Sequence, residues 1–194
     1  MPRSGLKLDG PVSPRDILQR GLTANPDAVA LVTPEVRITW RELDQASTKL
    51  AASYLQLGLK PGDRVASLLP NRSYLVIHYL ACFKSGLVAT PLNYRYTPRE
   101  IDHALEVSES SILIAHAERD ADVAASQYVA RLPLGVVRSG ASSGTRPSLQ
   151  ELIEQGSAAA AFPPIDPAAP ALILFTSGST GLPKGVTHSA ETLG

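Results

Sequence analysis

The sequence has little cysteine, no net charge and no long apolar run, and each absence excludes a class of protein. Cys82, the single cysteine, lies in an apolar stretch; it rules out an internal disulfide and suits a reducing compartment. Eighteen basic residues balance eighteen acidic ones, so no general field gathers nucleic acid or an anionic membrane surface, and any anion must be bound locally. The longest apolar stretch, Tyr74 to Phe83, is interrupted by His78 and falls far short of the roughly 20 residues that span a bilayer, so no transmembrane segment is expected. Met1 to Gly10 contain Pro2, Lys7 and Asp9 without an apolar run of signal-peptide length, so the expected location is cytoplasmic. His78, His103 and His116 have no Cys or His at ligand spacing, and no metal site is expected of them; they are taken as structural or solvated. Cys82 lacks a neighbouring base in sequence and is expected to be a buried structural thiol.

What is present is an ordinary globular composition. At 194 residues, with 44% hydrophobic and 19% charged side chains, the chain can bury on the order of 70% of its unfolded surface in a compact core. Ile17 to Leu22 carry apolar residues at helical spacing, and Asn25-Pro26 stop them. Ala28–Val32 and Val36–Ile38, on either side of Thr33-Pro34, predict a small hairpin. Thr39 and Glu42 form a capping-box pattern that opens a helix to about Leu57, with Leu43, Ala46, Leu50, Tyr54 and Leu57 as its buried stripe, Gly58 as its stop and Trp40 in the core.

Arg64–Leu69, Ser73–Phe83 and Leu87–Thr90 then read as one βαβ unit. Thr97, Pro98 and Glu100 combine a capping box with proline at the first helical position, predicting a helix to about Ser108. Ser111–Ala115 predicts a strand, Asp122–Ala130 a helix and Leu134–Val137 another strand. Ser148 and Glu151 form a third capping box, opening a short helix that stops near Gly156. The alternation predicts an α/β fold: a parallel-rich sheet with helices on both faces. Residues 156–170, dominated by Ala and Pro, are expected to be an exposed connector, and residues 171–194 to hold a strand, a polar loop and a following segment.

The polar loop carries the chemistry. Ala171–Phe175, expected to be a buried strand, run into Thr176-Ser177-Gly178-Ser179-Thr180-Gly181-Leu182-Pro183-Lys184-Gly185. Its glycines let the backbone turn with positive φ and approach a ligand, its hydroxyls and amides supply donors for phosphate oxygens, and Lys184 adds a positive charge. The GxxxxGK[ST] spacing of a Walker loop is absent, since Pro183 precedes the lysine and Gly185 follows it. A Ser/Gly/Thr-rich stretch can also be a plain linker, but a linker needs neither the apolar strand before it nor a lone lysine between proline and glycine. His188 stands nearby in a pattern that suits a strand with a polar residue at its end, catalysis being the lesser alternative. Asn93-Tyr94-Arg95-Tyr96 is taken to shape a loop.

The run FTSGSTGLPKGV, from Phe175 to Val186, resembles the phosphate loop of the adenylate-forming (AMP-binding) superfamily. Ile38 to Leu43 resemble its first core motif, and Phe83 to Gly86 with Pro91-Leu92-Asn93 its second, so the resemblance spans roughly residues 15 to 194, the N-terminal portion of the large AMP-binding domain. It implies that a carboxylic acid and ATP, accompanied by Mg2+, become an acyl-adenylate and pyrophosphate, with transfer to a thiol such as coenzyme A. It also implies that Thr176, Ser177, Gly178, Ser179, Thr180, Gly181 and Lys184 hold the ATP phosphates, Lys184 compensating charge in the departing pyrophosphate. Relatives continue into adenine- and ribose-binding motifs and a small C-terminal domain bearing a further lysine; with Lys184 alone, this chain is expected to be inactive by itself. Pro91-Leu92-Asn93-Tyr94-Arg95 resembles the acyl-CoA synthetase branch, whereas peptide-synthetase domains usually carry aspartate where Asn93 stands. An amino-acid adenylation domain is therefore the alternative, followed by a non-catalytic nucleotide-binding or folding unit. An incomplete sheet would expose apolar surface and unpaired edges, so self-association is a further expectation.

Overall fold

A computed structural model describes residues 13–140, 146–176 and 181–193. A short 3-10 turn at Pro14–Asp16 leads into α1 (Gln19–Ala24), and β1 (Val29–Val32) pairs antiparallel with β2 (Arg37–Thr39). α2 (Trp40–Gln56) opens on the expected box: Thr39 Oγ1 accepts the Glu42 amide and the Glu42 carboxylate accepts the Thr39 amide. It closes at Gly58, whose φ of 99° places it in the left-handed region.

β3 (Arg64–Leu68), α3 (Ser73–Ser85) and β4 (Val88–Pro91) form the expected βαβ unit with β3 and β4 parallel. α4 (Pro98–Ser108) returns the chain to β5 (Ile112–His116) on the other side of β3, and α5 (Asp120–Ala125) leads to β6 (Val136–Ser139). α6 (Leu149–Gln155) precedes β7 (Pro170–Thr176), β8 (Lys184–Ser189) and α7 (Ala190–Leu193). The main sheet has the order β6-β5-β3-β4-β7-β8, parallel throughout except for β8, which runs antiparallel to β7.

Because strand side chains alternate, each strand feeds two cores. Val65, Ile112, Ile114 and Val137 point into a layer with Leu50 and Tyr54 of α2, Ile77 and Ala81 of α3, and Leu149 of α6. Ala66, Leu68, Leu113 and Ala115 point the other way, onto Ile101 and Leu105 of α4 and Val123 of α5. Fully burying a Leu or Ile contributes about 1.5–3 kcal/mol, and truncating one such as Leu105 to Ala costs about 2–5 kcal/mol through the cavity left behind.

Some expectations are corrected. The helix predicted over Asp122–Ala130 ends at Ala125, and Val129–Arg131 form a separate 3-10 turn. The cause is Asp102 on α4, whose carboxylate accepts the Ser126 hydroxyl and the amides of Gln127 (3.2 Å) and Tyr128 (2.9 Å), pulling the chain off the helical path. The strand predicted at Leu134 starts at Val136, because Gly135 sits at φ 64° in a turn. Trp40, expected in the core, is half-buried against it and covers Gly21. β7, expected to be buried, is half-exposed: Leu174 keeps 41% of its surface. Residues 157–169 form neither helix nor strand, yet they are fastened: Arg15 donates to the carbonyls of Pro163 (2.6 Å) and Phe162 (2.8 Å), and the amides of Ala190 and Glu191 donate to the carbonyls of Ala169 (3.1 Å) and Pro167 (2.8 Å).

Candidate functional site

Strands β3, β4 and β7 run parallel, so their carboxyl ends lie on one edge of the sheet. The connections after β3 and β4 leave on opposite faces, through α3 and α4, and such a switch point opens a crevice at the carboxyl edge. A cavity of about 420 Å³ fills it, lined among others by Ser67, Asn71, Tyr79, Leu92, Asn93 and Tyr94.

Beside this crevice the segment singled out as a loop-shaping cluster is held rigidly. The Tyr94 hydroxyl donates to Glu118 at 2.7 Å, and Arg72 donates to Glu118 (3.0 Å) while its guanidinium approaches His116 Nε2 (3.0 Å). Arg119 caps the backbone carbonyls of Tyr94 and Tyr96. Partial burial and the Glu118 carboxylate push the Tyr94 phenol up to about 12, so it stays a donor; hydrogen bonds from Tyr94 and Arg72 hold the Glu118 carboxyl below its usual range.

The loop assigned to phosphate begins where β7 reaches the same edge. Thr176 ends β7 and pairs with Lys184, the first residue of β8, and the Thr176 hydroxyl reaches the Lys184 carbonyl at 3.5 Å. β7 and β8 are thus an antiparallel pair. A Walker loop feeds a helix whose N-terminal amides bind phosphate; here a strand, β8, follows. Ser177, Gly178, Ser179 and Thr180 lie outside the described residues. Gly181 adopts φ 114° with open space where a Cβ would sit, a conformation that favours glycine. Lys184 is exposed and makes no ion pair among the described residues.

His188 pairs with Leu172 four residues along β8, roughly 13 Å from Lys184 at strand rise, on the side away from the loop. Catalysis at the loop is not its place. His103, treated as structural or solvated in the sequence, instead touches the loop: its Nε2 lies 2.9 Å from the Pro183 carbonyl. Eighty residues separate the two, and no local pattern announces the contact. Cys82 is fully buried, with its thiol pushed well up by burial, and is inert.

The mostly parallel six-stranded sheet flanked by helices matches the N-terminal domain of adenylate-forming ligases. The chain belongs to the AMP-binding enzyme family, which matches residues 18–193. It is 36% identical over 173 residues to a feruloyl-CoA synthase of an Amycolatopsis species, covering 87% of this chain and 32% of that protein. It is 31% identical to the phosphinothricin tripeptide synthetase PhsC of Streptomyces viridochromogenes over 88% of this chain and 15% of the relative. Among solved structures, ATP-bound MatB from Rhodopseudomonas palustris superposes with a TM-score of 0.80 at 29% identity, covering 92% of this chain and 35% of that one. The chain thus spans about a third of the length of the feruloyl-CoA synthase.

Proposed function

We propose that this chain supplies the ATP-phosphate-binding portion of an acid–thiol ligase that activates a carboxylic acid as its acyl-adenylate and passes the acyl group to coenzyme A. The observation that carries the proposal is the β7–β8 hairpin, which presents Thr176, Gly181 and Lys184 at the carboxyl edge of the sheet. Lys184, with the loop residues Ser177 to Thr180, would hold the β- and γ-phosphates and balance the charge that grows on the leaving pyrophosphate. Mg2+ would enter with the nucleotide on its phosphate oxygens. No described helix is long and apolar enough to cross a membrane.

The test is acid-dependent ATP–pyrophosphate exchange by the full-length protein carrying this chain, across fatty, aryl and amino acids. Lys184→Ala is expected to lower exchange on the order of a hundredfold; exchange indifferent to Lys184 would overturn the reading.

Amino-acid adenylation is the second reading, favoured by the similarity to PhsC. Asn93, on which the branch assignment rests, accepts the Arg95 amide at 3.0 Å through Oδ1. An aspartate makes the same turn, so the acid panel decides between the two. MgATP binding without exchange for any acid would favour a non-catalytic nucleotide-binding unit.

A further inference from the structure

We propose that His103 is a positioning residue for the phosphate loop, holding the Pro183 peptide so that Lys184 leaves the loop in one direction. The inference rests on reading that loop as the site of the ATP phosphates.

A carbonyl oxygen only accepts, so the 2.9 Å contact between His103 Nε2 and Pro183 O requires the proton on Nε2. That oxygen belongs to the peptide plane that also contains the Lys184 nitrogen and Cα. Fixing the carbonyl therefore fixes the plane from which the lysine side chain departs, and the proline ring already limits φ on the other side of it. Strand pairing with Thr176 then holds Lys184 from across the hairpin. Among the described residues, His103 makes the one side-chain hydrogen bond that ties residues 181–184 to anything outside the hairpin.

The anchor itself is rigid. α4 begins with proline and a complete capping box at Thr97 and Glu100. On either side of His103, Ile101, Ala104 and Leu105 are fully buried in the sheet, and Asp102 binds residues 126–128. Among the described residues β8, in contrast, is an edge strand paired with β7 alone. His103 thus transfers the fixed position of the α4 layer to the least supported part of the site.

The experiment is pyrophosphate exchange by the full-length protein with His103→Ala, His103→Gln and Lys184→Ala, together with a long-range proton–nitrogen NMR spectrum of the histidines. His103→Ala is expected to raise the KM for MgATP about three- to tenfold, the loss of one part-buried hydrogen bond, with the KM for the acid unchanged. His103→Gln, whose amide nitrogen can reach the same carbonyl, should return close to the parent value. In the spectrum the neutral His103 ring should carry its proton on Nε2. An unchanged MgATP KM in His103→Ala while Lys184→Ala loses exchange overturns the positioning role and leaves the loop reading intact; so does a neutral ring protonated on Nδ1. Lys184→Ala at parental activity removes the loop reading, and the role of His103 with it.

Discussion

The Tyr54 hydroxyl and His78 Nδ1 lie 2.9 Å apart with both side chains fully enclosed between α2 and α3. Their rings meet edge to face at a centroid separation of 5.9 Å, so the pair fills the core as an aromatic contact while satisfying a polar atom on each partner. Burial depresses His78 from 6.5 to about 3, which keeps the imidazole neutral in the folded protein.

That depression makes a pH prediction of definite sign. The unfolded chain protonates His78 below pH 6.5, whereas the folded chain resists until about pH 3, so the unfolded state binds the extra proton across this window. Stability is therefore expected to fall as pH drops, by up to about 1.4 kcal/mol per pH unit. The capping carboxylates Glu42, Glu100 and Glu151, held below their usual value of 4.5 by hydrogen bonds from their caps, add to the loss only at lower pH. Urea unfolding between pH 6.5 and 5 should show the slope in the parent and a flatter one in His78→Gln. Equal slopes in both would remove His78 as the cause.

The second prediction concerns Lys84, which sends all three donors into α2: to Asp44 Oδ1 (2.6 Å), the Asp44 carbonyl (2.9 Å) and Thr48 Oγ1 (2.9 Å). Burial lowers the ammonium from its usual range and Asp44 offsets this in part. Removing only the acceptor leaves a buried charge, so Asp44→Ala should destabilise by about 1–3 kcal/mol, while Lys84→Met, which removes the charge and keeps the packing, should cost less. The double variant should resemble Lys84→Met. Denaturation midpoints give the ranking, and Lys84→Met as the worst of the three would refute it.

These inner contacts were largely legible as types but not as partners. The three capping boxes at Thr39, Thr97 and Ser148 form as their spacing predicts, because a cap is local chemistry within four residues. The helix drawn through Ala130 failed because Asp102, some 24 residues upstream, competes for its amides. The strand before the loop was legible from its apolar run, but its half-exposure depends on which helices cover it, and that is set by topology. The link from His103 to Pro183 is likewise tertiary, and nothing in either local sequence contains it.

Two glycines allow a third test, since one is needed for space and the other for conformation. A Cβ on Gly156 would sit 2.0 Å from the Lys49 carbonyl of α2, with backbone on the clashing side, so Gly156→Ala must push α6 away from α2. Overpacking of this kind costs about 1–3 kcal/mol. Gly58 has open space but φ 99°, and Gly58→Ala should cost only about 1 kcal/mol of backbone strain. Thermal unfolding should place Gly156→Ala below Gly58→Ala; the reverse order would mean that α6 yields without loss.

Leu174 and Val186 face each other across β7 and β8, 41% and 44% exposed. Among the described residues β8 is also an edge strand, so an apolar strip and an open strand edge coincide. Together they predict concentration-dependent self-association of the 194-residue chain through this hairpin. Val186→Lys places a charge on the strip without touching the loop or the His103 contact, and should hold the chain at its monomer sedimentation coefficient at concentrations where the parent sediments faster. A variant that associates as the parent does would move the contact elsewhere. A parent that stays monomeric throughout would refute the prediction.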